Sequence, residues 1–73
     1  MTKPEAELEF RETEFPFTVR EYEQDGVPDL PARRESWNNW TDAQCKAGRI
    51  TPHQDNTWAH PRWLETVRSS KFL

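Results

Sequence analysis

The sequence has one cysteine, two glycines, one methionine and one tyrosine, and no long apolar run. Each scarcity excludes something. A single thiol, Cys45, makes no internal disulfide, so this is not a small secreted scaffold held by bridges. Two isolated glycines, Gly26 and Gly48, leave no glycine-rich loop to cradle a phosphate. No apolar stretch approaches the roughly 18 residues that span a bilayer. The first ten residues, MTKPEAELEF, lack the charged-then-apolar order of a signal peptide. A soluble cytoplasmic protein is therefore expected, with no membrane partner. Apolar residues make up only 33% of the 73 residues and the mean hydropathy is -1.12, near the border with disordered chains. Four tryptophans argue for a folded domain, because disordered chains are poor in aromatics.

Charge is present in quantity and unevenly placed. Residues 1–30 hold nine acids and three bases, a net of -6. Residues 31–73 hold seven bases and four acids, a net of +3, together with all four tryptophans. One small domain is expected, 1–73, with an acidic first part (1–30) and a basic, Trp-rich second part (31–73). The two parts attract one another, and each also suits a different partner surface.

Residues 5–14 alternate, with Glu5, Glu7 and Glu9 against Ala6, Leu8 and Phe10, and period two predicts a half-buried strand. Phe15, Phe17 and Val19 alternate in the same way over 15–22, with Pro16 facing outward at a strand start or edge. Residues 23–32 contain Asp25-Gly26, Pro28 and Pro31 and read as a loop. Trp37, Trp40, Ala43 and Ala47 form an apolar stripe that predicts a helix over 33–47, or 37–47 if Ser36 caps it. Gly48 suits the left-handed residue that follows a helix end. Residues 49–57 read as a connection. Trp63, Leu64 and Val67 predict a second helix over 58–69, capped by Thr57 or beginning at Pro61.

The expected fold class is α+β: a small antiparallel β-hairpin packed by two short helices. Its expected core is Leu8, Phe10, Phe15, Phe17, Val19, Trp40, Ile50, Trp63, Leu64 and Val67. Residues 1–14 and 69–73 are expected to be the loosest parts.

Chemistry-bearing groups are few. Cys45, His53, Asp55 and His60 match no paired-ligand spacing, so solvated or capping histidines are the plainer reading. Cys45 falls near the negative end of the expected helix, which disfavours a thiolate nucleophile. The acids sit in a domain too small for a deep cleft. No enzyme activity, metal, cofactor or small-molecule substrate is expected. What remains is tryptophan interleaved with arginine, the residue types that dominate protein interface hot spots. Arg33, Arg34, Trp37, Trp58 and Arg62 are the expected partner-binding residues. The same types also suit nucleic acid, but the net charge of -3 opposes it.

The most distinctive segments are Ser36-Trp37-Asn38-Asn39-Trp40 and His60-Pro61-Arg62-Trp63-Leu64. With these, in its length, acidity and tryptophan content, the chain resembles the small RNA polymerase-binding transcription regulators of Xanthomonas-infecting bacteriophages. The resemblance implies binding to host RNA polymerase at the β′ N-terminus and the β flap, near the RNA exit channel. It implies inhibition of sigma-dependent initiation, antitermination, and indirect contact with nascent RNA or the promoter complex. The cytoplasm of the infected bacterium would be the location. The alternative is another phage anti-host inhibitor, such as an anti-CRISPR protein or a nucleic-acid mimic whose Glu5, Glu7 and Glu9 imitate phosphates.

Overall fold

The computed structural model describes residues 1–69 and 72, and every regular element among them is helical. Helix α1 runs Lys3–Tyr22, α2 runs Leu30–Lys46 and α3 runs Pro52–Thr57, followed by a 3-10 turn at Arg62–Glu65. The molecule is elongated, 36 × 19 × 19 Å. The expected hairpin over 5–22 is thus corrected to one twenty-residue helix, and the α+β class to an all-helical one.

The start of α1 explains the difference. Thr2 and Glu5 form a capping box, the threonine hydroxyl accepting from the Glu5 N–H and the glutamate accepting from the Thr2 N–H. Pro4 lies in the first turn, where a missing N–H costs nothing. Glutamate, alanine and leucine are good helix formers, whereas glutamate is a poor strand former. Ala6 and Phe10 are buried one turn apart, and Phe15, Thr18 and Val19 form a second buried group that begins just before Pro16. Five residues separate Phe10 from Phe15, a rotation of about 140° at 3.6 residues per turn. The buried stripe therefore changes face just before Pro16, which has no N–H to offer the Glu12 carbonyl. No single stripe of helical period runs through 3–22, so the alternation stands out in the sequence.

Helix α2 begins earlier than its apolar stripe does. Asp29 caps it, its carboxylate accepting from the Ala32 N–H at 3.1 Å, and Pro31 sits in the first turn. Neither Ser36 nor Arg33 is its start. Its end follows the sequence reading: Gly48 has φ 78° and donates to the Cys45 carbonyl, while the Arg49 N–H bonds that of Gln44. The expected helix over 58–69 is also corrected. A second capping box, Thr51 with Gln54, starts α3 at Pro52 within the expected connection. Among the described residues of the expected last helix, the 3-10 turn at Arg62–Glu65 is followed by a turn and a bend at Thr66 and Val67 rather than by further α-helix.

The core gathers Ala6, Phe10, Phe15, Val19, Trp37, Trp40, Leu64 and Val67, with Trp58, Trp63 and Phe72 packed at its border. Phe10 lies at its centre, with ring centroids of Phe15, Trp37, Trp40 and Trp63 at 6.2, 5.3, 5.6 and 6.3 Å. Leu8 and Phe17, expected inside, are exposed. Residues 1–14 carry the Thr2 cap and contribute Ala6 and Phe10 to the core. At the other end Ser69 is buried, and Ser70, Lys71 and Leu73 lie outside the described residues.

Candidate functional site

Of the five residues expected to bind a partner, two face inward. Arg33 is fully buried. Its Nε donates to Glu23 Oε2 and its Nη2 to Glu23 Oε1, both at 2.7 Å. Its Nη1 donates to the Leu64 carbonyl at 2.7 Å, and its Nη2 reaches Ser69 Oγ at 3.5 Å. Ser69 Oγ in turn donates to Glu23. The guanidinium lies 5.0 Å above the centre of the Phe15 ring. Arg33 is therefore a buried structural post that ties α1, α2 and the C-terminal turns together. Trp37 is also fully buried, edge-on to Phe10, and its Nε1 has no hydrogen-bond partner among the described residues. Arg33 and Trp37, one turn apart on α2, share its inner face with Trp40 and Thr41. The sequence signal was the spacing i, i+4, i+7, i+8; the charge of Arg33 disguised it.

The other three stay nearer the surface. Arg34 is 44% exposed and donates to Glu65 Oε1 at 3.1 Å; His60 Nε2 lies 3.2 Å from the same oxygen. Trp58 is half-buried against the core, and Arg62 is exposed on the 3-10 turn. Cys45 is a free, half-buried thiol near the end of α2, and His53 and Asp55 sit on α3. Among the described residues no three His, Cys, Asp or Glu side chains gather as metal ligands would, and no helix is long and apolar enough to cross a membrane.

The surface offers something the sequence reading missed. Leu8, Phe17, Tyr22 and Val27 are 57%, 54%, 62% and 60% exposed. Phe17 and Tyr22 border a groove of about 170 Å³ between α1 and α2, with Glu14, Thr18, Ala32, Glu35, Ser36 and Asn39. The hydroxyls of Thr18 and Ser36 bond one another across the two helices at 2.6 Å. Tyr22 also borders a shallower depression of about 460 Å³ with Val27, Pro28, Leu30 and Arg34. Phe17 and Tyr22 thus line one concavity and Tyr22 and Val27 the other, so that exposed Tyr22 is shared between the two. Their carboxylates are Glu14, Glu35, Asp25 and Asp29, and their one base, Arg34, is already paired with Glu65.

A third concavity, about 590 Å³, lies at the other end of α1 between Met1, Glu5, Leu8, Glu9, Glu12 and Arg49. Arg49 donates to both oxygens of Glu9, at 2.8 and 2.9 Å, and holds the Glu9 carboxyl below its ordinary value. On a helix Glu5 and Glu9 lie one turn apart, while Glu7 points elsewhere. The three-glutamate phosphate-like face expected from a strand does not form.

Glu23 gives this fold a pH dependence. Burial alone would raise its carboxyl, but the hydrogen bonds from Arg33 and Ser69, then from the Asp29 backbone and the charge of Arg33, bring it below the usual 4.5. A carboxyl lower in the folded than in the unfolded state adds stability above its unfolded value and gives it up as the pH falls through the folded one. The urea midpoint is therefore expected to stay level from about pH 7 to about 5, then to fall steadily below about 4.5. An acid limb that is unchanged in the double variant Glu23→Leu/Arg33→Met, which removes both charges together, would show that other carboxylates carry it.

Compared with protein-family models, curated proteins and solved structures, the chain matches none.

Proposed function

We propose that this protein is a small adaptor without enzymatic activity that binds a protein partner through the Phe17–Tyr22–Val27 surface. One observation carries the reading. A chain with so few apolar residues leaves Phe17, Tyr22 and Val27 exposed around two concavities that share Tyr22, instead of burying them. Scattered exposed side chains are ordinary; a contiguous apolar patch rimmed by polar groups marks an interaction surface. The carboxylates around it favour a basic protein surface and disfavour nucleic acid.

The partner we propose is bacterial RNA polymerase, at the β′ N-terminus and β flap, with interference in sigma-dependent initiation and antitermination as the outcome in the infected cell. The polymerase identity rests on the resemblance; the docking surface rests on the fold. This moves the expected contact from Arg33 and Trp37, which are buried, to Phe17, Tyr22 and Val27, with Arg34 at the edge.

Immobilised protein is expected to retain purified RNA polymerase at micromolar concentration. The double variant Phe17→Ser/Tyr22→Ser should weaken retention about tenfold or more with its helical signal intact, because both side chains are exposed. No retention of polymerase by the unaltered protein refutes that partner. Equal retention by the double variant refutes the surface.

A further inference from the structure

We infer that the α1–α2 groove is a receptor for a single arginine side chain of the partner, an inference that rests on the protein-binding reading above. Its size is the first argument. About 170 Å³ is well below the roughly 300–1,000 Å³ of pockets that bury a small-molecule ligand, and it suits one long side chain. The chemistry of its walls is the second. Phe17 and Tyr22 supply two exposed aromatic rings, Glu14 and Glu35 supply two carboxylates, and no base borders it. None of the ion pairs among the described residues uses either carboxylate. Both are therefore available to an incoming cation.

Aromatic faces attract cations, and a carboxylate completes the site by hydrogen bonding. Arginine fits this set better than lysine. Its planar guanidinium stacks on a ring while its edge donates to carboxylates in a fork, whereas an ammonium is a compact, strongly hydrated point charge. The same molecule already uses both contacts elsewhere: Arg11 lies 4.9 Å above the Trp63 ring, and Arg33 lies above Phe15 while forking to Glu23. The groove presents the rings and acids of such a contact without the arginine.

The test is an NMR titration of the full chain at low salt with Nα-acetyl-arginine amide, and separately with Nα-acetyl-lysine amide. Arginine amide should shift the resonances of Phe17, Thr18, Tyr22, Glu35 and Ser36 and saturate in the millimolar range. It should bind about fivefold more tightly than lysine amide. Phe17→Ala should weaken it about fivefold or more, with far-UV circular dichroism unchanged. Shifts spread equally over Glu5, Glu9 and Glu12, or equal affinity for the two amides, would overturn the inference. If polymerase is retained through Phe17 and Tyr22 while arginine amide fails to bind, the inference alone falls. If arginine amide saturates the groove while polymerase is not retained, the inference holds and the polymerase reading falls.

Discussion

Arg33→Ala should leave the chain unfolded at 25 °C. The side chain is fully buried and satisfies the Glu23 carboxylate and the Leu64 carbonyl, with Ser69 completing the cluster. Removing one member of a buried ion pair costs about 3–5 kcal/mol, chiefly because the surviving charge is left without a partner. A core of this size supplies only about 3–5 kcal/mol in total. The loss is as large as the whole, so no cooperative transition should remain in urea followed by circular dichroism. Arg33→Lys should not rescue it, since an ammonium lacks the planar fork that reaches both Glu23 oxygens and the Leu64 carbonyl. Replacing the pair together, Glu23→Leu with Arg33→Met, should recover much of the loss, because apolar pairs often substitute for buried ion pairs. An Arg33→Ala protein that unfolds cooperatively within about 1 kcal/mol of the unaltered one would show that the pair contributes little.

Phe10→Ala should be nearly as damaging but fail differently. Four aromatic rings surround Phe10, two of them edge-on. Truncating a buried phenylalanine costs about 3–5 kcal/mol, part of it for the cavity left behind. The helix caps of Thr2, Asp29 and Thr51 lie outside this cluster. The expected product keeps much of its helix while losing the near-UV signal of its packed tryptophans, the signature of a compact state without fixed packing. Phe10→Leu, which retains more volume, should keep a cooperative transition at a lower midpoint. A Phe10→Ala protein with an unaltered near-UV spectrum would mean that the rings close over the gap.

In the second half, α2 was legible. The Trp37–Trp40 stripe placed α2, and Gly48 placed its end. The first half was not, for a physical reason. The buried stripe changes face between Phe10 and Phe15, so period two looked stronger than period 3.6. The signals that would have corrected this were local and polar: Thr2-Lys3-Pro4-Glu5 and Thr51-Pro52-His53-Gln54 are both capping boxes with a proline in the first turn. Two of the expected site residues are placed differently on a related point. Residue type suggested that arginine and tryptophan face outward, yet Arg33 and Trp37 occupy core positions of α2, and Leu8 and Phe17 are displaced outward in exchange. Only tertiary packing decides which face of α1 meets α2, so no local pattern could reveal the Phe17–Tyr22 surface.

The buried arginine also sets a timetable for synthesis. The chain leaves the ribosome from its N-terminus. Glu23 and Arg33 are ten residues apart and meet soon after both emerge. The Leu64 carbonyl and the Ser69 hydroxyl lie 31 and 36 residues beyond Arg33 and are made well after it. Until they arrive the guanidinium has Glu23 but lacks its two other partners. The turns that carry Leu64 and Ser69 thus act as a latch on a contact whose first half is local and whose second half is distant in sequence.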